Sequence, residues 1–398
     1  MIRRRRVGAL AIDEGIIDLA PAVRHRSYDR VLDLQGKGIV GPYACDAHLH
    51  LTLPPTSSPF PNSAGNFPHA RDWERVLDQK VNWDTIRATT KVSAGLNLKL
   101  SVLEGVGLVI GYGGKPEILK YAKTFGPNVA LVANVTQVDL ERMEERGKIN
   151  LTRLDESTLE ALFRGYIPGV HSFYRTNLDV ARAVYDYARA RDMPFVGHFG
   201  EGTDKYASEE LHRLVDHELV RNTVLIHAVG FGRDRALVRR FAECRGVVWC
   251  LSSNLHLLGA TTPVRDLLAD GVRVAIGTDN GLCGTSSFSS EARAVLRYAK
   301  EHDIQATELY QMFFRAPYDM FGIAPPSDID SGQPADLRVV QSSVALSSDS
   351  SIEEVILEFL TGRVLALFVG GRDVFRRYRR KAAWRRADAM FSQALASS

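Results

Sequence analysis

The apolar positions of this 398-residue chain change period repeatedly, and the changes outline its elements. From about residue 84 onward, windows with apolar side chains three and four apart alternate with short apolar runs of strand length. Residues 83–103 read as a helix, and 106–110 as a strand running into Gly111-Tyr112-Gly113-Gly114. The same alternation predicts helices over 116–124, 156–164, 177–191, 208–220, 234–243, 263–270, 290–301 and 307–314. Strands are predicted between them over 129–135, 166–173, 195–198, 223–227, 246–251 and 273–277. The helix over 177–191 is the clearest, because Val180, Ala181, Val184, Tyr187 and Ala188 fall on one stripe.

Counted from the strand-length segment 43–50, this makes eight strands with a helix after nearly every one. Such regular alternation predicts an α/β fold, a (β/α)8 TIM barrel rather than an open doubly wound sheet. No dinucleotide fingerprint or P-loop follows any of the strands. Both ends of the chain depart from the alternation. Residues 1–40 read as short strands broken by Asp13-Glu14-Gly15 and Gln35-Gly36-Lys37-Gly38. Past the barrel, 331–340, 354–359 and 364–369 read as strands, Gly370-Gly371 as a turn and 373–395 as a basic helix. The expected organisation is a small composite β-sandwich from 1–40 plus 330–375, a barrel over 41–329, and a C-terminal basic helix over 376–398. Residues 54–72 are rich in Pro, Ser, Asn and Gly without periodicity, the composition of a functional loop.

Composition narrows the function classes. A net charge of +3 is too small to imply nucleic acid, and the basic ends, 3–6 and 376–386, read as solvated faces. No stretch approaches the roughly 18 apolar residues of a membrane helix, so no membrane partner is expected. The arginines at the start are followed by Val7-Gly8-Ala9-Leu10, but Asp13-Glu14 interrupt that run too early for a secretory signal. Cys45, Cys244, Cys250 and Cys283 form no C-x-x-C pair and suit reduced thiols in a cytoplasmic enzyme. A small-molecule substrate fits this profile, which leaves a homo-oligomer open.

Chemistry in barrel enzymes sits at the carboxyl ends of the strands. There stand His48 and His50, which share one side of an extended strand, then His198, His227 and Asp279. Three imidazoles and one carboxylate suit a divalent transition metal with a position left for water, and the fourth imidazole can bond that water or its substrate. Glu201 follows three residues after His198, past a glycine, and is placed to shuttle protons. His171, Asn254 and His256 stand near other strand ends as substrate-contact candidates, with a loop setting expected for His256. His25, His69, His212, His217 and His302 are assigned surface or loop roles. The zincin, H-x-E with P-C-x-x-C, and G-x-S-x-G patterns do not occur.

Over nearly its whole length the chain resembles the amidohydrolase superfamily, in its cytosine deaminase, atrazine chlorohydrolase and adenosylhomocysteine deaminase branch. The residues carrying the resemblance are Asp46-Ala47-His48-Leu49-His50, His198-Phe199-Gly200-Glu201, Leu225-Ile226-His227, Ser252-Ser253-Asn254-Leu255, Gly277-Thr278-Asp279-Asn280 and Pro334-Ala335-Asp336-Leu337. It implies the barrel with its composite β-sandwich. It also implies that His48, His50, His198 and Asp279 bind one divalent ion, zinc or iron. Glu201 would move protons, and His227 would orient the attacking water or polarise the substrate. Dinuclear members carry a carbamylated lysine on the fourth strand, and residues 166–172 contain none, which favours one ion. Gly41-Pro42 replaces the family's usual Pro-Gly before the first strand.

The resulting expectation is a metal-dependent hydrolase that deaminates an aminated heterocycle or amidine-like carbon and releases ammonia. Its alternatives are an amide or cyclic-amide hydrolase, a chlorohydrolase at the same site, and a non-catalytic metal- and ligand-binding barrel. Specificity is expected in 54–72, 111–114, 166–175 and 280–290.

Overall fold

The structure is a computed structural model that describes residues 9–13, 16–20, 37–55, 67–113, 117–133, 135–146, 149–151, 154–202, 204–230, 239–344, 346, 350–375, 385 and 389. It is an α/β protein built on parallel strands. Strands β4 (Ala44–Leu49), β5 (Val106–Tyr112) and β6 (Asn128–Val132) form one parallel sheet. Strands β7 (Gly169–Ser172), β8 (Phe195–Phe199), β9 (Thr223–His227), β10 (Gly246–Trp249) and β11 (Val274–Ile276) form a second. Parallel bridges link the two sheets on both sides: Leu49 with Asp279, and Val132 with Ile167 and Val135 with Val170.

Every residue of β4, β5, β8, β9, β10 and β11 is buried, as parallel strands covered on both faces require. Along β8, Phe195 and Phe199 join the core shared with the helices, while Val196 joins a second core with Val224, Ile226, Val248 and Ala275. His198 lies two residues beyond Val196 and therefore on that second face. Helices α1 (Ala70–Asp78), α2 (Trp83–Leu103), α3 (Ile118–Phe125), α4 (Gln137–Glu145), α5 (Glu156–Phe163), α6 (Leu178–Ala190) and α7 (Asp204–Asp216) separate the strands as far as β9. After β10 come α8 (Leu251–Leu258) and α9 (Val264–Ala269), and after β11 come α10 (Phe288–Glu301), α11 (Ala306–Phe314) and α12 (Ala316–Phe321). Polar caps set several starts: the side chains of Asn82, Asp155, Asn177 and Ser287 accept from the first-turn amides of α2, α5, α6 and α10.

The two ends of the chain meet in one antiparallel sheet. Strand β3 (Gly38–Gly41) pairs with β12 (Leu337–Gln341), which pairs with β13 (Arg363–Val369) and then β14 (Arg372–Asp373). Strands β1 (Ala9–Asp13) and β2 (Ile16–Ala20) pair with each other as a hairpin. The strand expected over 354–359 is instead helix α13 (Ile352–Thr361), opened by a reciprocal cap between Ser351 and Glu354. His256 sits on α8 and not in a loop. His69 stands in the loop before α1, one of the two settings expected for it, but it is buried there and caps the helix by accepting from the Arg71 amide. The basic helix expected over 376–398 lies outside the described residues except at Arg385 and Ala389, and the helix expected over 234–243 lies outside them up to residue 238.

Candidate active site

The carboxyl ends of β4, β8, β9 and β11 bring five side chains together. His48 Nε2 lies 3.3 Å from His198 Nε2 and 3.5 Å from Asp279 Oδ1, and His50 Nε2 lies 3.3 Å from the same Asp279 oxygen. His227 completes a second group with His48 and His198, its ring stacked 5.2 Å from that of His198. Two donors about 2.0–2.1 Å from one tetrahedral ion stand about 3.4 Å apart, so these separations fit ligands of a shared ion.

Close backbone approach makes this convergence work. Asp279 follows β11 with a left-handed φ of 63°, and its amide donates to the His48 carbonyl at 2.9 Å while the His50 amide donates back to its own carbonyl at 2.9 Å. One residue before Thr278, a Cβ on Gly277 would stand 2.8 Å from His48 Cβ, so only glycine lets β11 pass there. Strict alternation would turn His227 to the same side as Leu225, which packs against the helices. The left-handed backbone at His227 (φ 76°) and Ala228 (φ 51°) breaks the strand, and the imidazole stands beside His198 instead.

Neighbouring groups fix which atoms face the centre. His198 Nδ1 is 2.5 Å from the His171 carbonyl oxygen, which can only accept, so Nδ1 carries the proton and Nε2 a lone pair. Ser253 Oγ and Cys283 Sγ donate to Asp279 Oδ2 at 2.5 and 3.0 Å, and Asn280 Nδ2 donates to Oδ1 at 2.9 Å. Burial alone would raise the Asp279 carboxyl. Hydrogen bonding with His48 leads the opposing effects, followed by the positive charge that a proton on His227, His50 or His48 would bring, and together they hold the group well below the carboxylate range. Burial lowers His48 and His198 below the usual imidazole value, and takes His50 down to about 3. Neutral imidazoles beside an ionised carboxylate are the protonation states that metal ligands need.

Glu201 follows the Gly200 turn (φ 62°), and its Oε1 lies 3.4 Å from His227 Nε2. That nitrogen is buried and has no hydrogen-bond partner among the described residues. Burial raises the Glu201 carboxyl above its usual range, the first requirement of a proton carrier working near neutrality.

The remaining candidates differ in setting. His171 Nε2 lies 3.9 Å from Glu74 Oε1 and its ring 5.3 Å from that of His198. Glu74 also pairs with Arg175, so α1 contributes a charged wall beside the centre. Asn254 is buried, with Oδ1 2.9 Å from His227 Nδ1 and Nδ2 donating to Thr262 Oγ1 at 3.1 Å. His256 is half-buried a half-turn further along α8. Tyr112 lies in the 111–114 segment expected to carry specificity, although it was not singled out there: its ring centroid stands 5.0 Å from His48 and 4.6 Å from His198, and its hydroxyl donates to the Val170 carbonyl. The only sequence signal for it was its place at the end of the strand before Gly113.

The chain belongs to the amidohydrolase family, whose model matches residues 41–374. It is 24% identical over 372 residues to the 5-methylthioadenosine/S-adenosylhomocysteine deaminase of Pyrococcus abyssi, covering 87% of this chain and 84% of that protein. Among solved structures it resembles a zinc-bound adenosine deaminase from Xanthomonas campestris, with a TM-score of 0.70 and 20% identity over 97% of this chain and 93% of that one. It also resembles the zinc complex of atrazine chlorohydrolase from Arthrobacter aurescens, with a TM-score of 0.69 and 18% identity over 96% of this chain and 94% of that one.

Proposed function

We propose that this chain is a mononuclear, metal-dependent aminohydrolase that removes an exocyclic amino group from a nitrogen heterocycle or amidine-like carbon as ammonia. The observation that carries this reading is Glu201, a half-buried carboxylate beside His227 at the edge of two three-donor groups that share His48. In this reading His48, His50, His198 and Asp279 hold one divalent ion, zinc before iron. Zinc is the ion bound in both solved relatives. Such an ion supplies Lewis acidity that makes water a competent nucleophile at neutral pH. Glu201 takes a proton from the attacking water and returns it to the ring nitrogen or the leaving amine. His227, held through Nδ1, presents Nε2 to the water or to the oxygen it becomes. Asp279, ionised and held by Ser253, Cys283 and Asn280, accepts the second water proton and gives it up, by way of Glu201, to whichever of the two nitrogens the first proton did not reach. Carbon–nitrogen bond cleavage then gives ammonia and the oxo product. His171, with Tyr112 beside it, lines the substrate side, and His256 stands further out on α8.

The scaffold we propose for this chemistry is a closed (β/α)8 barrel over 41–329, supported by the parallel bridges on both sides of the two sheets. The pairing of β3 with β12 supports a small composite β-domain built from both ends of the chain. Four free, buried cysteines agree with a cytoplasmic enzyme. Among the described residues no helix is long and apolar enough to cross a membrane.

The test is ammonia release across aminated purines, pyrimidines, triazines and guanidino compounds, with metal analysis of the same sample. Ammonia from at least one compound, at one metal per chain, is the expected result. Chloride release from chlorotriazines, or amide cleavage, without ammonia would replace deamination with the other hydrolytic reactions. Metal and ligand binding without any turnover would make the chain a binding protein.

A further inference from the structure

The loop that carries Glu201 and the loop that follows His171 come from different strands, yet one buried carboxylate holds both. Glu210, on α7, is 2% exposed. Its Oε2 accepts from the Gly200 amide at 2.5 Å, and the carboxyl also stands near the Tyr174 amide, which donates to Ser172 Oγ at 3.2 Å. Gly200 lies between His198 and Glu201, while Tyr174 lies between His171 and Arg175. One turn further along the same helix, Arg213 donates to three carbonyls of the second loop: Phe173 at 3.0 Å, Tyr174 at 3.2 Å and Thr176 at 3.0 Å. The Gly200 carbonyl is held in turn by the Val229 and Gly230 amides at 3.0 and 3.2 Å, just past His227.

We infer that Glu210 is a positioning residue for the reaction: from α7 it ties the Gly200 turn to the Tyr174 loop and so sets Glu201 against His171 and the substrate between them. Arg213 supports the same clamp from the carbonyl side but touches only one of the two loops. Glu210 itself reaches neither the donor cluster nor the substrate space, and it acts only through the backbone it holds. Without it the buried Gly200 amide loses its side-chain acceptor, and the Tyr174 amide is left with Ser172 Oγ alone. The Gly200 turn is then free to shift, and a displacement of about 1 Å at a proton-transferring group is enough to cost roughly 10²-fold in rate. The description of Glu201 as a proton carrier rests on the function proposed above, whereas the clamp itself does not.

The experiment is amide hydrogen exchange by mass spectrometry on the zinc-loaded full-length protein, comparing the parent with Glu210→Ala, Glu210→Gln and Arg213→Ala. In Glu210→Ala, peptides covering 198–202 and 172–176 should both exchange at least tenfold faster, with the peptide covering 106–112 unchanged. Glu210→Gln keeps one acceptor oxygen and should recover part of that protection. Arg213→Ala should open 172–176 while leaving 198–202 near the parent rate. On any panel compound that the parent deaminates, Glu210→Ala should lower kcat at least tenfold with KM within threefold, and Glu210→Gln should recover part of it. Unchanged exchange in the two segments, or equal acceleration across the whole chain, overturns the clamp whether or not a substrate has been found. If Glu210→Ala does not fold, parent-like exchange of both segments in Glu210→Gln alongside opening of both in Arg213→Ala would equally contradict the assignment.

Discussion

His227 Nδ1 lies 2.9 Å from Asn254 Oδ1, and the contacts behind that pair decide where the imidazole proton sits. Thr262 gives its hydroxyl proton to the His227 carbonyl, so its oxygen is left to accept from Asn254 Nδ2 at 3.1 Å. That fixes the amide with Oδ1 toward the ring. An amide oxygen only accepts, so Nδ1 is the protonated nitrogen, and Nε2 is left to face Glu201. The residue that looked from its position like a substrate contact acts here through His227.

Asn254→Ala therefore should lower kcat/KM by roughly 10–100-fold, the range for losing a partner that orients an active imidazole. Zinc content should stay at the parent value, because the four proposed ligands do not depend on Asn254. Steady-state kinetics with metal analysis on one preparation checks both. Loss of zinc together with activity would place His227 among the ligands.

The strand-end residues were legible in the sequence because parallel strands present their carboxyl ends on one side, so His48, His50, His198, His227 and Asp279 needed only approximate strand boundaries. Glu201 was legible from its spacing after His198. Asn254 was a candidate by position, but its pairing with His227, like the places of Glu210 and Cys283, depends on helices and loops whose rotation against the strand ends no local pattern specifies. The 111–114 segment was legible as a specificity region, but Tyr112 itself was not, because an aromatic residue ending a strand reads as core. The segment 354–359 reads as a strand because Val355, Ile356 and Phe359 favour that state, although the Ser351-x-x-Glu354 cap signals the start of the helix found over 352–361.

Asp46 joins β4 to the segment after β11, two of the four places that carry the cluster. Its carboxylate accepts from the Thr278 amide at 3.1 Å, the Thr278 hydroxyl at 2.6 Å and the His48 amide at 3.3 Å. Asp46→Ala leaves those buried donors without partners, at about 1–3 kcal/mol each before relaxation. A lowered denaturation midpoint with weakened zinc retention is expected, while Thr278→Val should reproduce only part of the loss. Urea unfolding of the zinc-free and zinc-loaded forms measures both effects.

Burial pushes the Glu210 carboxyl up to about 8, with nearby Glu201 adding to the rise and the Gly200 amide and Arg213 opposing it. An unfolded glutamate titrates near 4.3. Below that value both states hold the proton. Between about 4.3 and 8 the unfolded chain releases it and the folded chain keeps it, so this group's contribution to stability declines as pH rises through the window. Glutamine carries no such proton. The melting temperature of Glu210→Gln relative to the parent should therefore be higher at pH 8.5 than at pH 5, measured by calorimetry on metal-free protein. A difference independent of pH would mean that Glu210 is ionised throughout.

The most direct test of the account is the turnover of zinc-loaded Glu201→Gln on a compound that the parent deaminates. Glutamine keeps the shape of Glu201 and removes its proton exchange, and the residue stands outside the proposed ligand set. The account predicts one zinc per chain in both proteins and a rate lowered by roughly 10²–10⁴-fold, the usual contribution of general acid–base catalysis. Parent-level ammonia release from the fully loaded variant would contradict it.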